Sequence, residues 1–149
     1  MANTALITGA SGGIGLELAK IHAQQGGDLV LVARSEDKLN QLKNELESEY
    51  QSKVFVIAED LSDPESADRV AASVEAMGLQ IDTLVNNAGF GGHGLFHERA
   101  LTDDQAMMQL NMVTLTSLTH RHNRHYRQNP MTRPPPLRSP TGLILKVSA

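Results

Sequence analysis

The sequence predicts an α/β fold, a parallel and doubly wound sheet with helices on both faces, and three observations carry that prediction. Four short apolar runs of strand length recur along the first 119 residues, and such unbroken runs suit strands covered on both faces. Between and after them, apolar residues return at helical spacing, so strand and helix alternate along the chain. A glycine-rich turn joins the first strand to the first helix, where the chain has to reverse tightly.

The elements follow in order. The run "ALIT" within Asn3 to Thr8 is short and ends at Gly9, which predicts a buried strand. Ile14, Leu18 and Ile21 then recur at helical spacing, and Gly26 and Gly27 supply the stop. "LVLVA" at 29–33 is the second strand. Ser35 is placed to cap the next helix, Glu36 and Asp37 suit its positive end, and Leu39, Leu42 and Leu46 line one face. "VFVIA" at 54–58 is the third strand. Pro64 follows Ser62 and Asp63, and Glu65 stands three residues beyond Ser62, which predicts a capping box opening a helix whose buried stripe is Val70, Val74 and Met77. "DTLVNNAG" at 82–89 is a fourth strand running into a turn, and "GFGGHG" at 89–94 is a flexible loop. A last helix from about Asp103 offers Met107, Leu110, Leu115 and Leu118 for packing. Strand–helix–strand connections of this kind are right-handed.

Charge divides the chain near residue 120. Residues 1–119 carry seven Lys and Arg against seventeen Asp and Glu, a net of −10, while residues 120–149 carry six Lys and Arg and no acid, a net of +6. Five of the six prolines also fall in that tail. The expected organisation is a single domain over 1–119, a basic, Pro-rich, irregular segment over 120–141, and a fifth-strand remnant, "GLILKVSA", at 142–149. The sheet is therefore expected to be incomplete, with about four to five strands.

Composition limits the function classes. Without cysteine there is no disulfide framework or thiolate chemistry. The start "MANTALITGA" has neither a basic end nor a long apolar run, so no signal peptide or membrane span is expected, and the reading is a soluble, cytoplasmic protein. His120, His122 and His125 have no carboxylate or thiol near them in sequence to complete a metal site, His93 and His97 read as loop residues, and no metal is expected.

Three stretches could carry chemistry. "TGASGGIG", Thr8 to Gly15, lies between the first strand and first helix, where glycines let backbone approach a pyrophosphate and the helix start presents free N–H groups. Taken alone it also fits an ordinary tight connection. Asp60 and Leu61 follow the third strand, and Asn86-Asn87-Ala88-Gly89 follow the fourth. With all three motifs in this order at the ends of these elements, the sequence resembles the short-chain dehydrogenase/reductase family from residue 3 to about 119.

The resemblance implies a Rossmann-like fold and an NAD(P)-dependent oxidoreductase acting on an alcohol or carbonyl. It implies that Gly9, Ser11, Gly13, Ile14 and Gly15 cradle the dinucleotide, that Asp60 and Leu61 meet the adenine, and that Asn87, Ala88 and Gly89 contact the adenosine side. Asn111, in "LNMVTLTSLT", matches the family's helix asparagine, which helps hold a water of the proton relay. The second strand ends in Ala33-Arg34-Ser35, and a basic residue there welcomes the 2′-phosphate of NADP where an acidic one would hold the ribose of NAD. Arg34 therefore points to NADP(H) over NAD(H), its alternative being a solvated surface arginine.

The family's catalytic Tyr-x-x-x-Lys does not occur in these 149 residues. Tyr50 is followed four residues later by Val54, and Tyr126 by Pro130. The segment after 119 reads as a replaced or frameshift-like end, so the expectation is a cofactor site with catalysis impaired or absent in this chain alone. The competing reading is an inactive dinucleotide-binding or scaffold module whose basic tail meets an anionic partner. Nucleic acid is not expected, because Tyr126 is the tail's single aromatic. A dinucleotide and a small carbonyl or alcohol are the expected partners, with a homo-oligomer left open.

Overall fold

The structure is a computed structural model and describes residues 3–122. Its strands are β1 (Thr4–Thr8), β2 (Asp28–Ala33), β3 (Val54–Ala58) and β4 (Thr83–Val85), paired in one parallel sheet of order β3-β2-β1-β4. Ala5 lies opposite Leu29 on one side and Thr83 on the other. The helices are α1 (Gly13–Gln24), α2 (Glu36–Tyr50), α3 (Ser66–Ala76), α4 (Leu101–Met108) and α5 (Leu115–His122), with a short 3-10 turn at Phe96–Glu98 and a π-helical stretch at Gln109–Thr114. The expected α/β, doubly wound parallel sheet is what forms.

The continuous apolar strands are explained by two cores. Ala5, Ile7, Leu29 and Leu31 face Ala19, Ala23, Leu39, Leu42 and Leu46 on the side of α1 and α2. Leu6, Val30, Val32 and Leu84 face Val70, Val74 and Leu118 on the side of α3 and α5. With both faces covered, every position in β1 is buried. Each fully buried leucine contributes about 1.5–3 kcal/mol relative to exposure.

Strand order also positions a crevice. The chain steps outward from β1 to β2 and β3, then returns to the other flank of β1 for β4. The connections leaving β1 and β4 thus diverge to opposite faces, and the space beyond their carboxyl ends stays open.

Several local expectations need correction. The buried stripe of α1 is Gly15, Ala19 and Ala23, whereas Ile14 and Ile21 are half exposed. The cause is close approach of α1 to the sheet, which only small residues permit. Ser35 stands at the N-cap of α2 but makes no side-chain cap; its carbonyl accepts from the Leu39 amide instead. The capping box at Ser62 and Glu65 does not form. The Glu65 amide donates to Asp63 Oδ1 and the Ser66 hydroxyl to the Asp63 carbonyl, so α3 opens at Ser66 and Pro64 stays in the turn before it. Val70 and Val74 are buried as expected, but Met77 is exposed just past the end of α3.

The last helix departs furthest from expectation. It begins at Leu101, and its middle widens to π geometry between Gln109 and Thr114. Of its four expected packing residues, only Leu118 is fully buried. The widened turn lets the Thr114 hydroxyl reach the Leu61 carbonyl at 2.8 Å, a buried bond that regular helical spacing does not foretell. Helix α5 runs to His122, and the rest of the expected 120–141 segment and the fifth-strand remnant at 142–149 lie outside the described residues. Among the described residues, no helix is long and apolar enough to cross a membrane.

Candidate functional site

The site grows from the end of β1. Gly9 turns with φ +68° and its amide donates to the Val32 carbonyl at 2.8 Å, so the chain leaves β1 folded against β2. Thr8, 1% exposed, holds the other flank. Its hydroxyl accepts from the Asn87 and Ala88 amides, both at 3.0 Å, and donates to the Val85 carbonyl at 3.3 Å. The Asn87 side chain answers by donating to the carbonyls of Thr8 at 3.0 Å and Gly9 at 3.3 Å.

Besides Gly9, this turn requires glycine at two further points, for different reasons. A Cβ on Gly15 would stand 2.5 Å from Asn87 Nδ2 and closer still to the Gly9 carbonyl oxygen, so α1 can rest on the turn only through a glycine. Gly13 has φ +54° and faces open space, as does Gly12. No side chain caps α1 and its first turn holds no acid. Its positive end therefore opens onto a volume suited to an anion.

That volume is a cleft of about 860 Å³. Ten of the residues singled out in the sequence line it: Gly9, Ser11, Gly13, Ile14, Arg34, Asp60, Leu61, Asn87, Ala88 and Gly89. Two do not. Gly15 lies behind the lining as the contact between α1 and the turn. Asn111 sits in the π-helical stretch, and its amide donates to the Phe90 carbonyl at 2.8 Å, bracing the loop after β4 from behind.

Sequence reasoning missed several cleft residues. Lys38, in the first turn of α2, lines the rim with Arg34, which precedes the helix, so no shared helical spacing links the two in the sequence. Phe90, Ala106 and Leu110 supply apolar wall, for which no motif spoke. Ser62 and the clasp made by the Thr8 hydroxyl were also overlooked.

Charge is distributed unevenly along the cleft. The Glu59 carboxylate accepts two bonds from Arg69, at 3.0 and 2.8 Å. This pairing, with Asp63 assisting, raises the Arg69 pKa beyond its ordinary range. Asp60 is held below the usual carboxylate range chiefly by the Ser62 hydroxyl, at 2.7 Å, then by the Ser62 amide, with Arg34 adding attraction against slight desolvation. Arg34 and Lys38 make no hydrogen bond or ion pair among the described residues.

Residues 3–133 match the sequence model of the short chain dehydrogenases. The chain belongs to the short-chain dehydrogenase family. Among curated short-chain dehydrogenases and their kin, it is 41% identical over 85 residues to the very-long-chain 3-oxoacyl-CoA reductase of Kluyveromyces lactis, covering 57% of this chain and 25% of that one. Among solved structures, it resembles L-sorbose reductase from Gluconobacter frateurii, complexed with NADPH and L-sorbose, with TM-score 0.80 and 34% identity over 85% of this chain and 48% of that one. It also resembles an alcohol dehydrogenase from Thermococcus sibiricus complexed with 5-hydroxy-NADP, with TM-score 0.80 and 30% identity over 86% and 55% of the two chains. This short-chain dehydrogenase thus spans between a quarter and little more than half the length of these relatives.

Proposed function

We propose that the chain is the nucleotide-binding half of an oxidoreductase that interconverts an alcohol and a carbonyl, and that it takes NADP(H) in preference to NAD(H). The observation that carries this reading is one continuous cleft, with an open glycine turn at the head of α1 at one end and, at its rim, the cations Arg34 and Lys38, which have no ion-pair partner among the described residues. The residues suit the cofactor: Gly12 and Gly13 leave room where backbone N–H groups would meet a pyrophosphate, and Arg34 offers a planar fork of donors to a 2′-phosphate. When bound, the reduced cofactor supplies a hydride to carbonyl carbon.

The chain's own residues do the holding. Ser11, Gly13 and Ile14 would hold the phosphates, Asp60 and Leu61 the adenine end, and Asn87, Ala88 and Gly89 the adenosine side, with Gly9 and Gly15 fixing the turn. Asn111, bound to Phe90, would keep the loop after β4 and a relay water in place. Both solved relatives described above carry an NADP-type ligand, which supports the choice of cofactor. Without a Tyr-x-x-x-Lys, the 149 residues taken alone would bind cofactor with negligible carbonyl reduction.

Fluorescence titration of the full chain with NADPH and NADH tests the reading. NADPH is expected to bind more tightly, and Arg34→Ala to weaken NADPH about tenfold while leaving NADH unchanged, the size of one charge-assisted contact. Equal affinity for the two cofactors, untouched by Arg34→Ala, would refute the preference.

A further inference from the structure

We propose that Arg69, on α3 and outside the cleft lining, is a positioning residue for cofactor choice: by holding the Glu59 carboxylate it keeps Arg34 available to a 2′-phosphate and removes a repelling charge from that phosphate's surroundings. The inference rests on the NADP(H) reading above and deepens it.

The sheet itself sets up the conflict that Arg69 resolves. Ala33 of β2 pairs with Ala58 of β3, and the Glu59 amide donates to the Ala33 carbonyl at 3.0 Å, so the ladder runs one step past both strands and brings Arg34 beside Glu59. Two residues earlier, Val32 and Ile57 are both buried on the α3 side of the sheet. Side chains alternate along a strand, which places Arg34 and Glu59 on that same side, and both line the cleft. An arginine and a glutamate set next to each other attract, and their pairing would occupy the donors that a phosphate requires.

That pair does not form. Arg34 makes no hydrogen bond or ion pair among the described residues, and Glu59 turns to Arg69 instead. The Arg69 guanidinium grips it as a fork, Nε to Oε2 at 3.0 Å and Nη2 to Oε1 at 2.8 Å, so both carboxylate oxygens are engaged. Asp63 at 3.2 Å and Glu65 at 3.6 Å hold the same guanidinium, which fixes its aim. The charge balance depends on this grip. The cleft lining carries two cations, Arg34 and Lys38, against two anions, Glu59 and Asp60, and Arg69 is the further cation that tips the sum towards an anionic ligand. Arg69 is 44% exposed, and ion pairs so placed add little to stability. Its removal is therefore read in affinity, not in unfolding.

The test titrates the full chain with NADPH and NADH by fluorescence, with the urea midpoint measured beside it. In Arg69→Ala the freed Glu59 is expected to turn on Arg34, weakening NADPH about fivefold, less than loss of Arg34 itself, while NADH stays within about twofold and the midpoint is nearly unchanged. Adding Glu59→Gln to Arg69→Ala removes the competing charge and should return NADPH to within about twofold of the unmodified chain. A purely structural role would weaken both cofactors together and would not be rescued by that second change. If Arg69→Ala weakens the two cofactors alike, or neither, or if the NADPH loss persists in the double variant, the assignment is overturned while cofactor binding stands. If the unmodified chain does not distinguish NADPH from NADH and Arg34→Ala changes nothing, the NADP(H) reading fails and this assignment with it.

Discussion

The clasp between Thr8 and Asn87 and the stretch from Phe90 to Val113 border the same cleft, yet they are held by opposite means. At the clasp, Thr8 is 1% exposed, one hydroxyl serves three partners, and a single added methyl on Gly15 would collide with backbone. On the other border Phe96 is 81% exposed and Leu95, Leu101, Met112 and Val113 also face outward; the Asn111 amide on Phe90 ties the stretch to itself, and the Thr114 hydroxyl just beyond it reaches the Leu61 carbonyl. The difference teaches where rigidity is required. A cradle for a charged ligand has to be set before the ligand arrives, because reorganisation would subtract from affinity. A wall built of apolar side chains such as Phe90, Ala106 and Leu110 places no directed donor or acceptor and needs fewer fixed atoms.

Three substitutions sharpen or break that contrast. The largest effect is expected from Gly15→Ala. Its Cβ has nowhere to go, so α1 must shift, at about 1–3 kcal/mol of stability, with loss of NADPH binding. Urea unfolding read beside a cofactor titration measures both, and an unchanged midpoint would mean the turn is not the rigid part. Thr114→Val keeps shape but leaves the buried Leu61 carbonyl without its donor, at about 1–2 kcal/mol, in the same unfolding assay. A loss larger than that of Gly15→Ala would reverse the comparison. The smallest stability change, within about 0.5 kcal/mol, is expected from Gly12→Ala, whose backbone is extended and whose Cβ meets nothing within 4 Å. Because that methyl would point into the phosphate space, NADPH affinity should still fall several-fold, separating ligand space from packing space inside one turn.

The same division governs what could be read from the sequence. Strands were legible because two-sided burial demands unbroken apolar runs, and Leu39, Leu42 and Leu46 were legible because α2 packs through large side chains. Helix α1 misled, since its contact face is Gly15, Ala19 and Ala23, and small residues carry no hydrophobic signal. Ser62 was read as a cap when its hydroxyl serves Asp60 two residues back, and both uses share one local pattern. The π-helical stretch was illegible because a bond between Thr114 and Leu61, 53 residues apart, accompanies it and no local spacing encodes it. Of the cleft, the glycine turn, Asp60 and Asn87 to Gly89 could be foreseen, while Lys38, Phe90 and Leu110 depend on how the chain returns to them in space.

The Thr8 hydroxyl has a consequence for motion. The amides of Asn87 and Ala88, just past the end of β4, are tied to a side chain at the carboxyl end of β1, so they exchange with solvent hydrogen only when this clasp opens. Their exchange then reports the opening of the clasp, a motion at the edge of the cleft that can precede any parting of the strands.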